Sequence, residues 1–155
     1  MNASSATLAL GKPKFLLPTL VGAVVAGSLD LTSAFILYGT RVPRVIAAGL
    51  LGPKAFEGGL GTSVVGIGLH FFIAASATAV YYAASRTLEF LKDHFVVCGL
   101  FYGIAVYLVM NLIVLPLSAL HSEGPYRLHS LIQGLLVHML CVGLPIAFSV
   151  WRFSK

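Results

Sequence analysis

Charge is what this sequence has least of. Of its 155 residues only 10% are Asp, Glu, Lys or Arg, and only five of those are acidic; ordinary soluble domains carry roughly 25% charged residues. That scarcity excludes a conventional water-facing globule, and nothing in the chain calls for nucleic acid as a partner. Catalytic signatures are missing too: no phosphate-binding glycine loop, no HExxH, no CxxC and no nucleophile elbow occurs. The GIGLH string at 66–70 lacks the surroundings of a dinucleotide site, so no enzyme activity is expected. Cysteine is nearly absent. Cys98 and Cys141 both fall inside apolar runs, which excludes a disulfide framework and points to core packing.

What the chain has in quantity is hydrocarbon. It is 58% hydrophobic, with a mean hydropathy of +0.94. Gly61 to Ala84, GTSVVGIGLHFFIAASATAVYYAA, is uncharged and carries one histidine, His70. At about 1.5 Å per residue such a helix matches a bilayer core of roughly 30 Å. Three similar runs accompany it, giving expected spans at about 15–39, 61–84, 95–117 and 128–151. The fold expected is an all-α membrane protein, a four-transmembrane-helix bundle at 15–155 preceded by an N-terminal tail at 1–14. Lys12 and Lys14 ahead of LLPTLVGAVVAG resemble the start of a signal peptide. The apolar run then continues to Tyr38 without a clean small-x-small cleavage site, so it reads as an uncleaved first span.

Between the first two spans, Val45 to Leu51 is apolar but too short to cross, and Gly49, Gly52, Pro53, Gly58 and Gly59 interrupt it. It is expected to lie as an interfacial or re-entrant segment, either sealing one end of the bundle or acting as a lid over it. The link SRTLEFLKDH is short and charged, while LHSEGPYRLHS carries a turn at Glu-Gly-Pro. Trp151, Arg152 and Lys155 form an aromatic and basic end anchor. Four crossings place both termini on one side with Lys12, Lys14, Arg86, Lys92, Arg152 and Lys155, against Arg41, Arg44, Lys54 and Arg127 opposite. The excess favours cytoplasmic termini.

Small residues mark expected helix contacts: Gly22 and Ala26 on the first span, Gly66 on the second, Gly99 and Gly103 on the third, Gly134 on the fourth. Polar residues mark a layer inside the bundle. Asp30 is the sole acid within a span; with straight helices it falls within one or two turns of the depth of His70 and His138, with Asn111 about a turn away. Gln133 and Ser28 belong to the same set of candidates. The halves also share a spacing: Gly22 and Asp30 then Gly66 and His70, Gly103 and Asn111 then Gly134 and His138. A parallel two-fold repeat of helical hairpins would produce it.

A carboxylate facing lipid is costly, so Asp30 should face inward toward His70 or His138. Three uses of that layer stay open. The plainest is hydrogen bonding that fixes helix register. The second is proton relay or pH sensing by a coupled Asp and His pair. The third is a haem or metal ion held by His70 and His138, with Asp30 as a further ligand, although the chain carries no CxxCH and no cofactor is demanded. The small-residue faces also fit a homo-oligomer or an assembly subunit of a larger membrane complex.

The segments GSLDLTSAF, IAAGLLGPKAFEGGLGT, GIGLHFFIAASATAVYY and GLFYGIAVYLVMNLIVLPLSA together resemble small uncharacterised four-span bacterial inner-membrane proteins of the YagU-like group. The likeness runs from the first helix to the end of the third and is weaker in the fourth. It implies an inner-membrane location and a role in acid or envelope stress, and it supplies no mechanism for Asp30 or His70.

Overall fold

The computed structural model describes residues 15–121 and 127–154. Four helices are long and apolar enough to cross a membrane: α1 (Leu16–Tyr38), α3 (Leu60–Ser85), α5 (Phe95–Leu117) and α6 (Leu128–Phe153). Between them lie α2 (Val42–Leu51), a 3-10 turn (Pro53–Glu57) and the short α4 (Phe90–Asp93). No strand occurs among the described residues. In hydrocarbon a helix satisfies its own backbone, which is why apolar runs of this length fold this way even when rich in glycine. Ile36, Phe72, Phe101 and Leu112 stand exposed on the bundle, an arrangement that water would penalise and lipid does not. The expected tail at 1–14, the Glu-Gly-Pro turn and the basic residues Lys12, Lys14 and Lys155 lie outside the described residues.

Glycine ends both of the first two helices. Gly39 and Gly52 have φ of +79° and +74°, a region that costs other residues a Cβ clash, and each N–H returns to the carbonyl four residues back, Phe35 and Ala48. α2 then folds against α3, with Ala47 and Ala48 fully buried, and Gly49 O accepts the N–H of Ala119 from the segment after α5 at 2.8 Å.

α1 sits between α3 and α6, and α6 packs in turn on α5. Small residues make each of these contacts close. A Cβ on Gly22 would meet Thr78 Cγ2 at 2.5 Å, and one on Gly27 would meet the Phe71 ring at 2.8 Å. Gly66 abuts the backbone of Pro43 on α2, and Ala26 is buried at the centre of the core. A close approach also joins α5 to α6, where Gly99 and Gly103 face Gly143: a Cβ on Gly99 would lie 3.0 Å from Gly143 O, and one on Gly103 2.5 Å from Met139 Cα. Ser149 Oγ adds a bond to Pro18 O at 2.8 Å across α6 and α1.

The two C-terminal crossings are not regular. α5 widens into a π-helical stretch at Met110–Val114, and α6 does so at His138–Gly143. Each stretch stands just before a proline, Pro116 and Pro145. A proline lacks the N–H for the carbonyl four residues back and its ring presses on that carbonyl. Lengthening the preceding turn relieves the clash. Expectations drawn for straight helices therefore miss a local shift in depth at both places.

The backbone contacts give a direct test. Gly103→Ala must push α5 from the α6 backbone and is expected to destabilise the fold by about 2 kcal/mol. Gly68→Ala, whose Cβ would meet nothing within 4 Å, should leave stability unchanged or raise it by up to about 1 kcal/mol. Reversible unfolding in mixed micelles measures both.

Candidate functional site

Asp30 lies on α1 one turn beyond Ala26, on the face that α1 turns toward α3 and α6. Across from it, His70 projects from α3. Its Nε2 is 2.9 Å from Gly27 O and 4.0 Å from the Asp30 carboxylate. The two side chains keep only 13% and 20% of their accessible surface, His70 and Asp30 respectively. A carbonyl oxygen can only accept, so His70 donates from Nε2, and its Nδ1 carries the lone pair when the ring is neutral. The ring is held edge-on against Phe71 at 5.6 Å.

His138 enters from α6 at the first residue of the π stretch. Its Nδ1 is 2.9 Å from Gly134 O, one turn back in the same helix. By the same reasoning Nδ1 is the donor and Nε2 the free nitrogen, the opposite tautomer from His70. The Tyr107 ring of α5 meets the imidazole edge-on at 5.2 Å. That ring fits because position 134 is glycine: a Cβ there would fall 2.5 Å from Tyr107 Cε2.

Asp30, His70 and His138 line one cavity of about 90 Å³, large enough for a few water molecules. The rest of its wall is apolar apart from the Gly27 backbone: Ala26, Ile73, Ala74 and Ala77, Val106 and Met110 from α5, Val142 from α6, and Ile46 from α2. No Lys or Arg reaches this wall. Were His70 protonated beside an ionised Asp30, their attraction at 4 Å would be worth about 4 kcal/mol at an effective dielectric of 20, before desolvation is subtracted.

The other sequence candidates lie apart from this cavity wall. Asn111 Nδ2 donates to Tyr107 O at 2.8 Å within its own helix. Gln133 is half-buried and Ser28 is exposed, and neither lines the cavity. The matched spacing of the two halves is not accompanied by matched contacts: Gly66 packs on backbone and Gly134 on an aromatic ring, while His70 bonds across helices and His138 within one. Among the described residues no three of His, Cys, Asp and Glu come together in a way that could hold a metal ion.

Two further residues of the site carry little signature in the sequence. Ile46 closes the cavity from α2, and no spacing rule could have placed it there. Tyr107 is 95% buried by the complement of its 5% exposure, and its hydroxyl has no partner; the one available signal was a phenol in mid-span, four residues before Asn111.

The tautomers are directly observable. Nitrogen NMR of the side chains in micelles at alkaline pH is expected to show His70 protonated at Nε2 and His138 at Nδ1. His70→Phe, which keeps a ring against Phe71 but loses the bond to Gly27 O, is expected to cost about 1 kcal/mol of stability.

Compared with protein-family models, curated proteins and solved structures, the chain matches none.

Proposed function

We propose that this is a multi-pass protein of the bacterial inner membrane, both termini cytoplasmic, whose Asp30, His70 and His138 take up and release protons inside the bundle. One observation carries this reading: three titratable side chains from three crossings share a small cavity whose remaining wall offers them no charge. Intramembrane ionisable groups are costly to keep, which makes them functional candidates by default. The titratable groups facing Asp30 are His70 from α3 and His138 from α6. Beside them stand Cys141, close enough to Asp30 to interact with it electrostatically, and Tyr107 of α5, whose ring rests on His138. α2 contributes only the apolar Ile46.

The two histidines are poised for a transfer. Each anchors one nitrogen on a backbone carbonyl and leaves the other, Nδ1 of His70 and Nε2 of His138, to accept a proton. The Asp30 carboxyl and the His70 imidazole lie 4.0 Å apart, near enough for a proton on one to be felt by the other. Such a layer serves equally to pass protons or to register acidity by shifting helix contacts, and the latter fits a stress-responsive role. A haem or metal held by His70 and His138 is the less supported reading, because among the described residues no three of His, Cys, Asp and Glu come together in a way that could hold a metal ion. An absorption spectrum and elemental analysis of the purified protein separate the two.

Protein reconstituted in vesicles with a trapped pH dye is expected to show either proton flux above protein-free controls or a pH-dependent change in the emission of Trp151. Asp30→Asn should reduce the response to background while the four crossings stay folded. Behaviour identical to wild type in both assays would remove the proton-linked reading.

A further inference from the structure

A second and larger cavity, about 690 Å³, opens sideways between α3 and α5 with α4 at one end. Its wall is mostly hydrocarbon, from Ala84, Phe90, Leu91, Val97, Phe101 and Ala105. Apart from His94 at its mouth, the polar side chains that reach it are already engaged. Tyr81 O–H donates to Leu91 O at 2.9 Å, Tyr102 O–H to Ala77 O at 2.7 Å, and Cys98 S–H contacts Phe90 O at 3.7 Å. A guest in the groove therefore finds no hydrogen bond along its length, which selects hydrocarbon over any polar ligand.

The dimensions select further. His94 joins α4 to α5 at the membrane-surface end of the groove, and Ala105 marks its depth along α5. Eleven residues of helix separate them, about 16 Å, which is half of a hydrocarbon core of roughly 30 Å. The groove is thus one leaflet deep. At its mouth the His94 imidazole is exposed and has no side-chain partner among the described residues. Arg86 and Lys92 flank it along the chain, and Arg152 ends the helix on which α4 packs; Glu89 and Asp93 offset only part of that charge.

We propose that this groove holds one acyl chain of an anionic phospholipid from the leaflet on the side of the termini, its headgroup at His94. The inference needs the four crossings but not the proton chemistry of the other cavity. Charge favours an anionic headgroup because the described residues of this end carry more cations than anions. The open seam favours a bilayer lipid over a solute entering from water, since the groove gives onto the hydrocarbon.

Delipidated protein in detergent, titrated with dioleoylphosphatidylglycerol and examined by native mass spectrometry, should retain one lipid per chain. Dioleoylphosphatidylcholine and oleic acid should each be held about tenfold more weakly, a difference of about 1.4 kcal/mol. Ala105→Trp fills the groove and should abolish retention with the unfolding midpoint kept; His94→Ala should keep the lipid but lose most of the preference for the anionic headgroup. Retention of no lipid, equal retention by Ala105→Trp, or stronger binding of oleic acid would overturn the proposal. Should Ala105→Trp fail to fold, wild-type protein with phosphatidylglycerol bearing a mid-chain photoreactive diazirine decides. Labelling concentrated on 97–105 supports the groove, and labelling spread evenly to Ile36 and Leu112 refutes it.

Discussion

The approach of α5 to α6 at three glycines sets the rest of the bundle. Where Gly99, Gly103 and Gly143 meet, backbone touches backbone, with only the Ala147 methyl beside them. In lipid no hydrophobic force draws helices together, so association follows the pairs that pack most closely. Gly22 and Gly27 draw α1 onto α3, and Ala26 lies in the core with Ile146 and Ala147 of α6. The helices are thereby tied in the order α3, α1, α6, α5. The pair left over, α3 and α5, makes little close backbone contact among the described residues. Aromatic rings hold it instead, Tyr81 edge-on to Tyr102 at 4.9 Å. Rings keep backbones apart, and both cavities open along that seam.

The irregular turns of α5 and α6 bear on the polar cavity. Proline spacing places the π stretches at Met110–Val114 and His138–Gly143, so each begins at a residue of the cavity wall, Met110 on one helix and His138 on the other. A widened turn rotates the side chains around it relative to a regular helix. His138 is aimed by this distortion together with its bond to Gly134 O, and Tyr107 braces it from α5. The aim of His138 therefore depends on a proline seven residues beyond it.

Much of this could be read from the chain. Run length and the lack of charge delimit the four crossings to within two residues at each end, because a bilayer imposes both length and polarity. Depth, with the cost of a carboxylate facing lipid, predicts Asp30, His70 and His138 as neighbours, since an α-helix converts residue number into height. Depth gives no azimuth, however. Asn111 and Gln133 stand at suitable heights on their helices but outside the cavity wall, and no hydropathy pattern distinguishes them when every face of a helix is apolar. The same limit hid Tyr107 and Ile46. The π stretches escaped because Pro116 and Pro145 announce a disturbance without saying whether the helix will kink, break or widen.

One hydrogen bond divides the seam into compartments of opposite character. Tyr102 lines the apolar groove, Ala77 lines the polar cavity, and the Tyr102 hydroxyl donates to the Ala77 carbonyl between them at 2.7 Å. An apolar groove on one side and titratable groups on the other need such a wall, because apolar surface reached by water and a carboxyl reached by hydrocarbon would each carry a cost. The phenol suits the position: its ring presents an apolar face to the groove, and its hydroxyl finds a partner instead of being left bare. Ala77 has no long side chain to obstruct the bond. The separation of the two cavities thus rests on a tyrosine bridging α3 and α5, a pair of crossings that glycine does not draw together.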